Sequence, residues 1–318
     1  MSGLAGFTES FLQALTAGLL VGCIYGLMCL GLGLIFGVMR VINFAQGDFL
    51  MLGMYFTLYL AAGLAGTAVF GPVATPFVAA ICAGPVLFVG GYFLHRLLVS
   101  RVTGTRVAGI EGEGHYAQLI LTLGVALILQ NGGLILFGST PQSVRTPLSA
   151  SAWEIPLLHD SAVFVNKARS IAALISIAAA AGLYWFIGHS RLGKALRAAA
   201  DNPEAATYMG IDVDRAHRIA FGIGTGVTAV AGGLVATYSS FQPYVGLEFV
   251  IIMYAGVVLG GMGSMLGAFW GGMTIGLVQQ LSSLVLSPQL QNSAIFVVFL
   301  LIVLIRPQGL FGCRAERT

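Results

Sequence analysis

Two groups of residues in this chain have types and spacing suited to chemistry or docking. The first lies in RVINFAQGDFLMLGMY, Arg40 to Tyr55, where Asn43, Gln46 and Asp48 open a long apolar run. An ionisable side chain inside such a run is expensive to keep and points to function by default. Asp48 follows Arg40 by eight residues, roughly 12 Å if the intervening chain is helical. A structural reading competes with the functional one. Asn43 is placed to cap a helix, with Gln46 three residues on as in a capping box. Asp48 would then sit at the positive end of that helix, within reach of Arg40 or of a neighbouring helix. The functional alternative puts Asn43, Gln46 and Asp48 on a transport path or gate. Gln130 and Asn131, in a later apolar run, form a second polar pair, suited to bonding between helices or to lining a cavity.

The second group is EAATYMG, Glu204 to Gly210, inside the compact charged segment Arg191 to Arg218. Residues 191–200 favour a helix that is basic on one face. Asp201, Asn202 and Pro203 then form a stop and restart, with Asn202 as cap and Pro203 at the first helical position. Glu204 falls in the first turn, where a carboxylate suits the helix dipole. Gly210 is a natural left-handed terminator, and Asp212 or Asp214 can cap the next helix. The expected product is a short rigid helix between two turns, a shape suited to a partner's groove. A self-capping connector would account for the Asp, Asn and Gly residues but not for the small uncharged face.

Elsewhere the chain offers little chemistry. The five histidines are scattered, and the four cysteines (Cys23, Cys29, Cys82, Cys313) have no metal spacing. No metal site and no cofactor is expected. An intramembrane enzyme would need a nucleophile–base pair, paired carboxylates or a histidine cluster at one depth, and none is evident.

The elements that must position these groups are membrane helices. The 318 residues are 57% hydrophobic and 8% charged, with mean hydropathy +0.91, whereas soluble domains carry roughly 25% charged residues. The apolar runs are continuous rather than alternating, which favours helices over a transmembrane barrel. The fold class is therefore an all-α polytopic membrane protein, a single transmembrane domain over residues 1–318. Spans are expected at 11–37, 41–64, 73–95, 116–137, 170–188, 216–238, 249–263, 267–286 and 291–305. The seventh is short and glycine-rich and could re-enter rather than cross, so the bundle has eight or nine spans plus the short helix in the 189–215 loop. MSGLAGFTES has no basic region ahead of the first apolar run, so no cleaved leader is expected.

Charge sets the orientation. One side collects Arg40, Arg96, Arg101, Arg106, Arg191, Lys194, Arg197, Arg215, Arg218, Arg306, Arg314 and Arg317. The other keeps Arg145, Lys167 and Arg169. The positive-inside rule makes the first side cytoplasmic. The N-terminus is then outside and the C-terminus inside, which favours nine crossings. Residues 138–169 become the main external loop, either a docking surface or a connector. The net charge of +3 does not suggest nucleic acid.

Glycine, at 44 residues, is periodic. Gly18, Gly22 and Gly26 are spaced by four. Gly256, Gly260, Ser264, Ala268, Gly272 and Gly276 read as one unbroken ladder, the pattern of close helix packing in lipid. The alternative is a helix break at Gly260–Gly263 beside a pathway.

Taken together, these motifs resemble a known family. EAA, three residues, then Gly (Glu204, Ala205, Ala206, Gly210) is similar to the start of the loop by which permease subunits of bacterial ABC importers contact their ATPase. The downstream Ile-x-Leu-Pro half is absent. INFAQGDFLMLGMY, LTLGVALILQNGGLILFG, GVVLGGMGSMLGAFWGG and LIRPQGLFG resemble branched-chain amino-acid permeases of the Leu/Ile/Val type across nearly the whole chain. The resemblance implies a multi-pass permease of the bacterial inner membrane and no enzymatic activity of its own. Its implied partners are cytoplasmic ATP-binding subunits, a second permease (identical or homologous), a periplasmic solute-binding protein and lipid. The chain has no G-x4-G-K-[ST] loop to cradle phosphates. Urea and amide permeases share much of the pattern. An ion-coupled secondary transporter using Asp48 is a further alternative, opposed by the lone carboxylate and the lack of two-half symmetry.

Overall fold

A computed structural model describes residues 2–64, 71–103, 113–144, 146–156, 162–287, 290–306 and 308–311. Arg106, Arg145, Arg314, Arg317 and Cys313 lie outside the described residues, as do Pro307 and Gly312 of the LIRPQGLFG motif. The helices run in the order α1 (Ser2–Met39), α2 (Gln46–Leu64), α3 (Gly71–Leu94), α4 (Ser100–Thr103) and α5 (Glu113–Phe137). A hairpin of β1 (Ala152–Pro156) and β2 (Ala162–Asn166) follows. Then come α6 (Lys167–His189), α7 (Arg191–Asp201), α8 (Pro203–Tyr208), α9 (Val213–Ala236), α10 (Val245–Gly260), α11 (Met265–Ser282) and α12 (Gln291–Ile305).

Among the described residues, six helices are long and apolar enough to cross a membrane: α1, α2, α3 with its π turn His95–Val99, α5 (from Ala117), α6 and α9. The apolar α10 and α12, of 16 and 15 residues, are shorter. The chain is thus an all-α polytopic membrane protein, with one short hairpin as the sheet among the described residues.

α1 and α9 form the centre: 83% and 78% of their apolar windows are buried, against 28% for both α5 and α6. Glycine explains how α1 reaches this position. A side chain at Gly22 would run into the Met273 backbone of α11, and one at Gly26 into Phe269, so the two helices lie nearly backbone to backbone. The late ladder is not one continuous row. Gly261 and Gly263 take positive φ (106° and 95°), conformations that side chains resist. The chain therefore turns between Gly260 and Met265, and α10 folds back on α11 with Gly260 against Gly267 and Gly256 against Gly271 and Gly272. The expected single row becomes two facing ones.

The 138–169 segment contains a hairpin that periodicity alone did not announce. β1 and β2 pair antiparallel, Trp153 opposite Val165 and Ile155 opposite Val163. The Gln13 side chain of α1 binds its edge twice, Nε2 donating to Phe164 O (2.6 Å) and Oε1 accepting from Phe164 N (2.9 Å). At the other end of α1, Arg40 Nη2 donates to Ala200 O of α7 at 3.5 Å. The hairpin and the α7–α8 segment therefore lie at opposite ends of the bundle. Residues 310–311 join the α7–α8 end, where Leu310 N and Phe311 N donate to Leu259 O (2.8 Å) and Gly260 O (3.1 Å).

Candidate functional site

The α7–α8 segment is built from local caps. Ser190 Oγ accepts from Gly193 N at 2.9 Å and starts α7. Leu196 and Ala199 of α7 pack inward. Arg197 Nη2 donates to Gly188 O at 3.0 Å, satisfying a carbonyl at the negative end of α6. Asn202 Oδ1 accepts from Ala205 N at 3.0 Å with Pro203 at the first position, so α8 starts where the sequence puts it. It ends in a Schellman motif: Ile211 N donates to Ala206 O (2.9 Å) and Gly210 N to Thr207 O (3.0 Å), with Gly210 at φ 79°. Asp212, rather than Asp214, caps α9, accepting from Arg215 N at 2.8 Å. Its second oxygen lies 3.8 Å from Arg218.

These caps fix which side chains α8 presents. Of the four residues singled out in EAA-x3-G, Ala206 packs inward, while Glu204, Ala205 and Gly210 are exposed. Tyr208 and Met209 are also presented, at 88% and 82% exposure. They were not singled out from sequence. The available signal was their apolar character at the end of a helix otherwise made of small residues. A cleft of about 490 Å³ separates this layer from the bundle, lined by Gly37, Arg40, Leu196, Ala200, Met262 and Gly263 among others.

The polar group of α2 is arranged differently from the expectation. The helix starts at Gln46, not at 41, because Arg40 takes φ 54° and residues 40–43 are not helical. Asn43 Oδ1 accepts from Ala45 N at 3.2 Å, the bond of an Asx turn. Its Nδ2 donates to the Gln46 side chain at 3.0 Å, in place of the backbone bond a capping box would make. Gln46 Nε2 donates to Gly224 O of α9 at 3.1 Å and to Thr228 Oγ1. Gly31 of α1 meets the same two residues. Since Gly31 precedes Met39 by eight residues, α2 begins roughly 12 Å inside the end of α1. Residues 41–45 are thus irregular backbone running to depth, with Val41, Asn43 and Ala45 buried in protein.

Asp48 is buried, and its Oδ1 has no hydrogen-bond partner. It does not pair with Arg40, whose side chain points to α7. The carboxylate faces Gly246 in the first turn of α10. α10 also starts at depth, after the irregular segment 237–244, where Pro243 lies beside Met51 of α2 and Gly133 of α5. The Phe44 and Tyr254 rings meet at a tilt (5.7 Å between centroids), and Gly47 touches Gly246. The first turns of α2 and α10 therefore run antiparallel, side by side. Such paired half-helix starts are where polytopic transporters place solute sites.

Gln130 and Asn131 are not brought together. Gln130 is buried, whereas Asn131 is exposed and donates to Leu127 O of its own helix at 2.8 Å. Neighbouring residues on a helix point about 100° apart, so one faces the bundle and the other leaves it. Among the described residues Asn131 makes no bond between helices. Glu248, in the first turn of α10, is a carboxylate placed at the α2–α10 junction that the sequence reading left at the edge of a span.

Known proteins match this sequence along nearly its full length. The family model for the branched-chain amino acid transport system / permease component covers residues 14–305. The high-affinity branched-chain amino acid transport system permease protein LivH of Escherichia coli K12 is 29% identical over 308 residues, 95% of this chain and 96% of the relative. BraD of Pseudomonas aeruginosa, described by the same words, is 28% identical over 304 residues, 95% and 96% of the two chains. The autoinducer 2 import system permease protein LsrC of Yersinia pseudotuberculosis is 27% identical over 231 residues, 70% of this chain and 63% of the relative. No solved structure matches. The chain carries the family's pattern from the α1 glycines through α12, and it belongs to the branched-chain amino acid transport system / permease component family.

Proposed function

We propose that this multi-pass permease is the transmembrane half of an ATP-driven importer, carrying branched-chain or other amino acids into the cytoplasm. The observation that carries this reading is α8: a six-residue helix, capped at both ends by its own sequence, offering Glu204, Ala205, Tyr208 and Met209 to solvent. A separate ATP-binding subunit seats on this surface and hydrolyses ATP there, while this chain supplies the path. When the ATPases close, α8 transmits the movement through α7 to the end of α1. A second permease completes the path, and a periplasmic binding protein delivers solute at the hairpin end. The N-terminus lies outside and the C-terminus inside, in accord with Arg40, α7–α8 and the 306–311 segment sharing one end of the bundle. In this reading Asn43 and Gln46 hold the gate's irregular segment in place, Asp48 and Gln130 face the interior near the path, and Asn131 is peripheral.

Deleting residues 203–210 tests the coupling. Membrane insertion should persist, while ATP-dependent leucine uptake is lost. Uptake at the wild-type rate after that deletion overturns the reading. Competition of labelled leucine uptake by excess urea or amides, and its persistence with a protonophore at constant ATP, separate it from a urea permease and from ion coupling at Asp48.

A further inference from the structure

Glu248 has no ion pair or hydrogen bond among the described residues. It is exposed on the surface of the chain, yet it lies deep along the bundle. The ring of its neighbour Phe249 meets Tyr25 of α1 edge-on at 6.0 Å. Tyr25 is 12 residues beyond Gln13, which is bonded to the hairpin, and 14 before Met39, or roughly 18 and 21 Å along the helix. Counted along α10, Glu248 precedes Gly260 by 12 residues, again roughly 18 Å. In a hydrocarbon core about 30 Å thick, both measures place it in the middle third.

Tyr244, Leu247, Glu248 and Ile251 are all exposed and share one stripe of α10, at spacings of three, four and seven residues. A carboxylate at this depth cannot face lipid without a cost of several kcal/mol. By contrast, the exposed face of α5 between Ala117 and Phe137 carries Leu127, Ile128, Ile135 and Leu136 with one neutral amide, Asn131, bonded to Leu127 O, and no charged residue. The α10 stripe therefore meets something polar. The helix begins at depth from irregular backbone, and such backbone borders protein or water. Beside it, Asp48 presents a second carboxylate oxygen without a partner, directed at Gly246. Arg169, on the hairpin side, stacks on the Tyr238 ring at 5.2 Å and bonds neither carboxylate. Among the described residues neither carboxylate is salt-bridged to a cation, while acidic groups at depth persist when paired with a positive charge.

We propose that the Tyr244–Leu247–Glu248–Ile251 face of α10 lines the water-filled path, and that Glu248 receives the ammonium group of an amino-acid solute passing through it. The solute supplies the positive charge that the protein withholds. Asp48, on the other side of Gly246, keeps the junction acidic. This inference rests on the import reading, but its first test does not need a transported solute.

Both tests use the full chain with its partner subunits in intact cells, in a Cys82→Ser, Cys313→Ser background. A membrane-impermeant cationic methanethiosulfonate should label Glu248→Cys and Ile251→Cys but leave lipid-facing Ile135→Cys unmodified. Failure to label position 248 while the complex is intact overturns the path assignment, whatever the solute. In the second test, Glu248→Gln should lower leucine uptake at least tenfold at saturating binding protein, with membrane abundance unchanged. Glu248→Asp should recover most of it, and excess leucine should slow labelling at 248. Uptake by Glu248→Gln equal to wild type, with 248 labelled, overturns the solute contact and leaves the import reading standing. A wild-type complex that hydrolyses ATP but imports no ammonium-bearing solute overturns both.

Discussion

The α7–α8 segment and the α2–α10 junction do the same structural job by opposite means. Each must start and stop helices abruptly. In the α7–α8 segment every start is made by a side chain within three residues of the amide it binds: Ser190 to Gly193, Asn202 to Ala205, Asp212 to Arg215. At the junction the start of α2 is held from across the chain, by Gln46 reaching Gly224 and Thr228, 178 and 182 residues away. The start of α10 has no side-chain cap of its own and abuts Gly47. A locally capped element keeps its shape when its neighbours move. A junction held by distant contacts changes when they do. That contrast suits a rigid lever working on a deformable gate.

Several substitutions would break or sharpen this contrast. The largest effect is expected at the junction. Gly47→Leu drives a side chain into the Gly246 backbone, and overpacking of this kind costs about 3 kcal/mol or more when backbone cannot yield. The purified complex should lose its monodisperse gel-filtration peak on mild heating, and a wild-type profile would show that the junction tolerates separation. Next is the exposed tip of α8. Tyr208→Asp with Met209→Asp should reduce ATP-dependent uptake roughly 30-fold, the equivalent of about 2 kcal/mol for a buried interface anchor. Thermal stability should not change, and full uptake in this variant would remove Tyr208 and Met209 from the docking surface.

A smaller effect is expected from Asn202→Ala. Loss of one cap costs about 1 kcal/mol, so hydrogen exchange across residues 203–209 should quicken about fivefold while the junction's amides are unaffected. Asn202→Ser should restore protection. If exchange is unchanged, the rigidity of α8 comes from its packing on α9 rather than from its caps. The smallest effect is at Asp212. Asp212→Asn keeps the cap and removes the ion pair with Arg218, which is half exposed at 3.8 Å, and such pairs are worth under about 1 kcal/mol. Uptake and stability should both stay near wild type, and a large loss would show that the charge itself holds the loop.

The same contrast governs what could be read without coordinates. Asn202, Pro203 and Gly210 were legible as punctuation, and Asp212 as one of two candidates with Asp214, because each acts on backbone within a few residues. The start of α2 was misplaced by five residues. Its Asn43–Gln46 spacing looked like a capping box, and nothing local reports that Gln46 instead reaches α9. The β1–β2 hairpin was missed although Trp153 and Ile155, and Val163 and Val165, alternate. Five-residue strands carry too little pattern to stand out in a chain already rich in apolar residues. Glu248 was passed over for a related reason. Its depth depends on where α10 begins, and that is set by Gly246 against Gly47, not by any signal in residues 245–248.

Composition, glycine spacing and helix punctuation by themselves determined that this chain is an all-α polytopic membrane protein with a short, self-capped helix between two of its spans. They could do so because hydropathy and capping act between a residue and its solvent or its near neighbours. Only the tertiary structure decided that α1 and α9 form the centre, that the late glycine row folds back on itself, and that α2 and α10 start side by side at depth, with Asp48 between them and Glu248 on the outer face of α10. Those features depend on backbone groups finding partners nearly two hundred residues away, inside a solvent that offers them none.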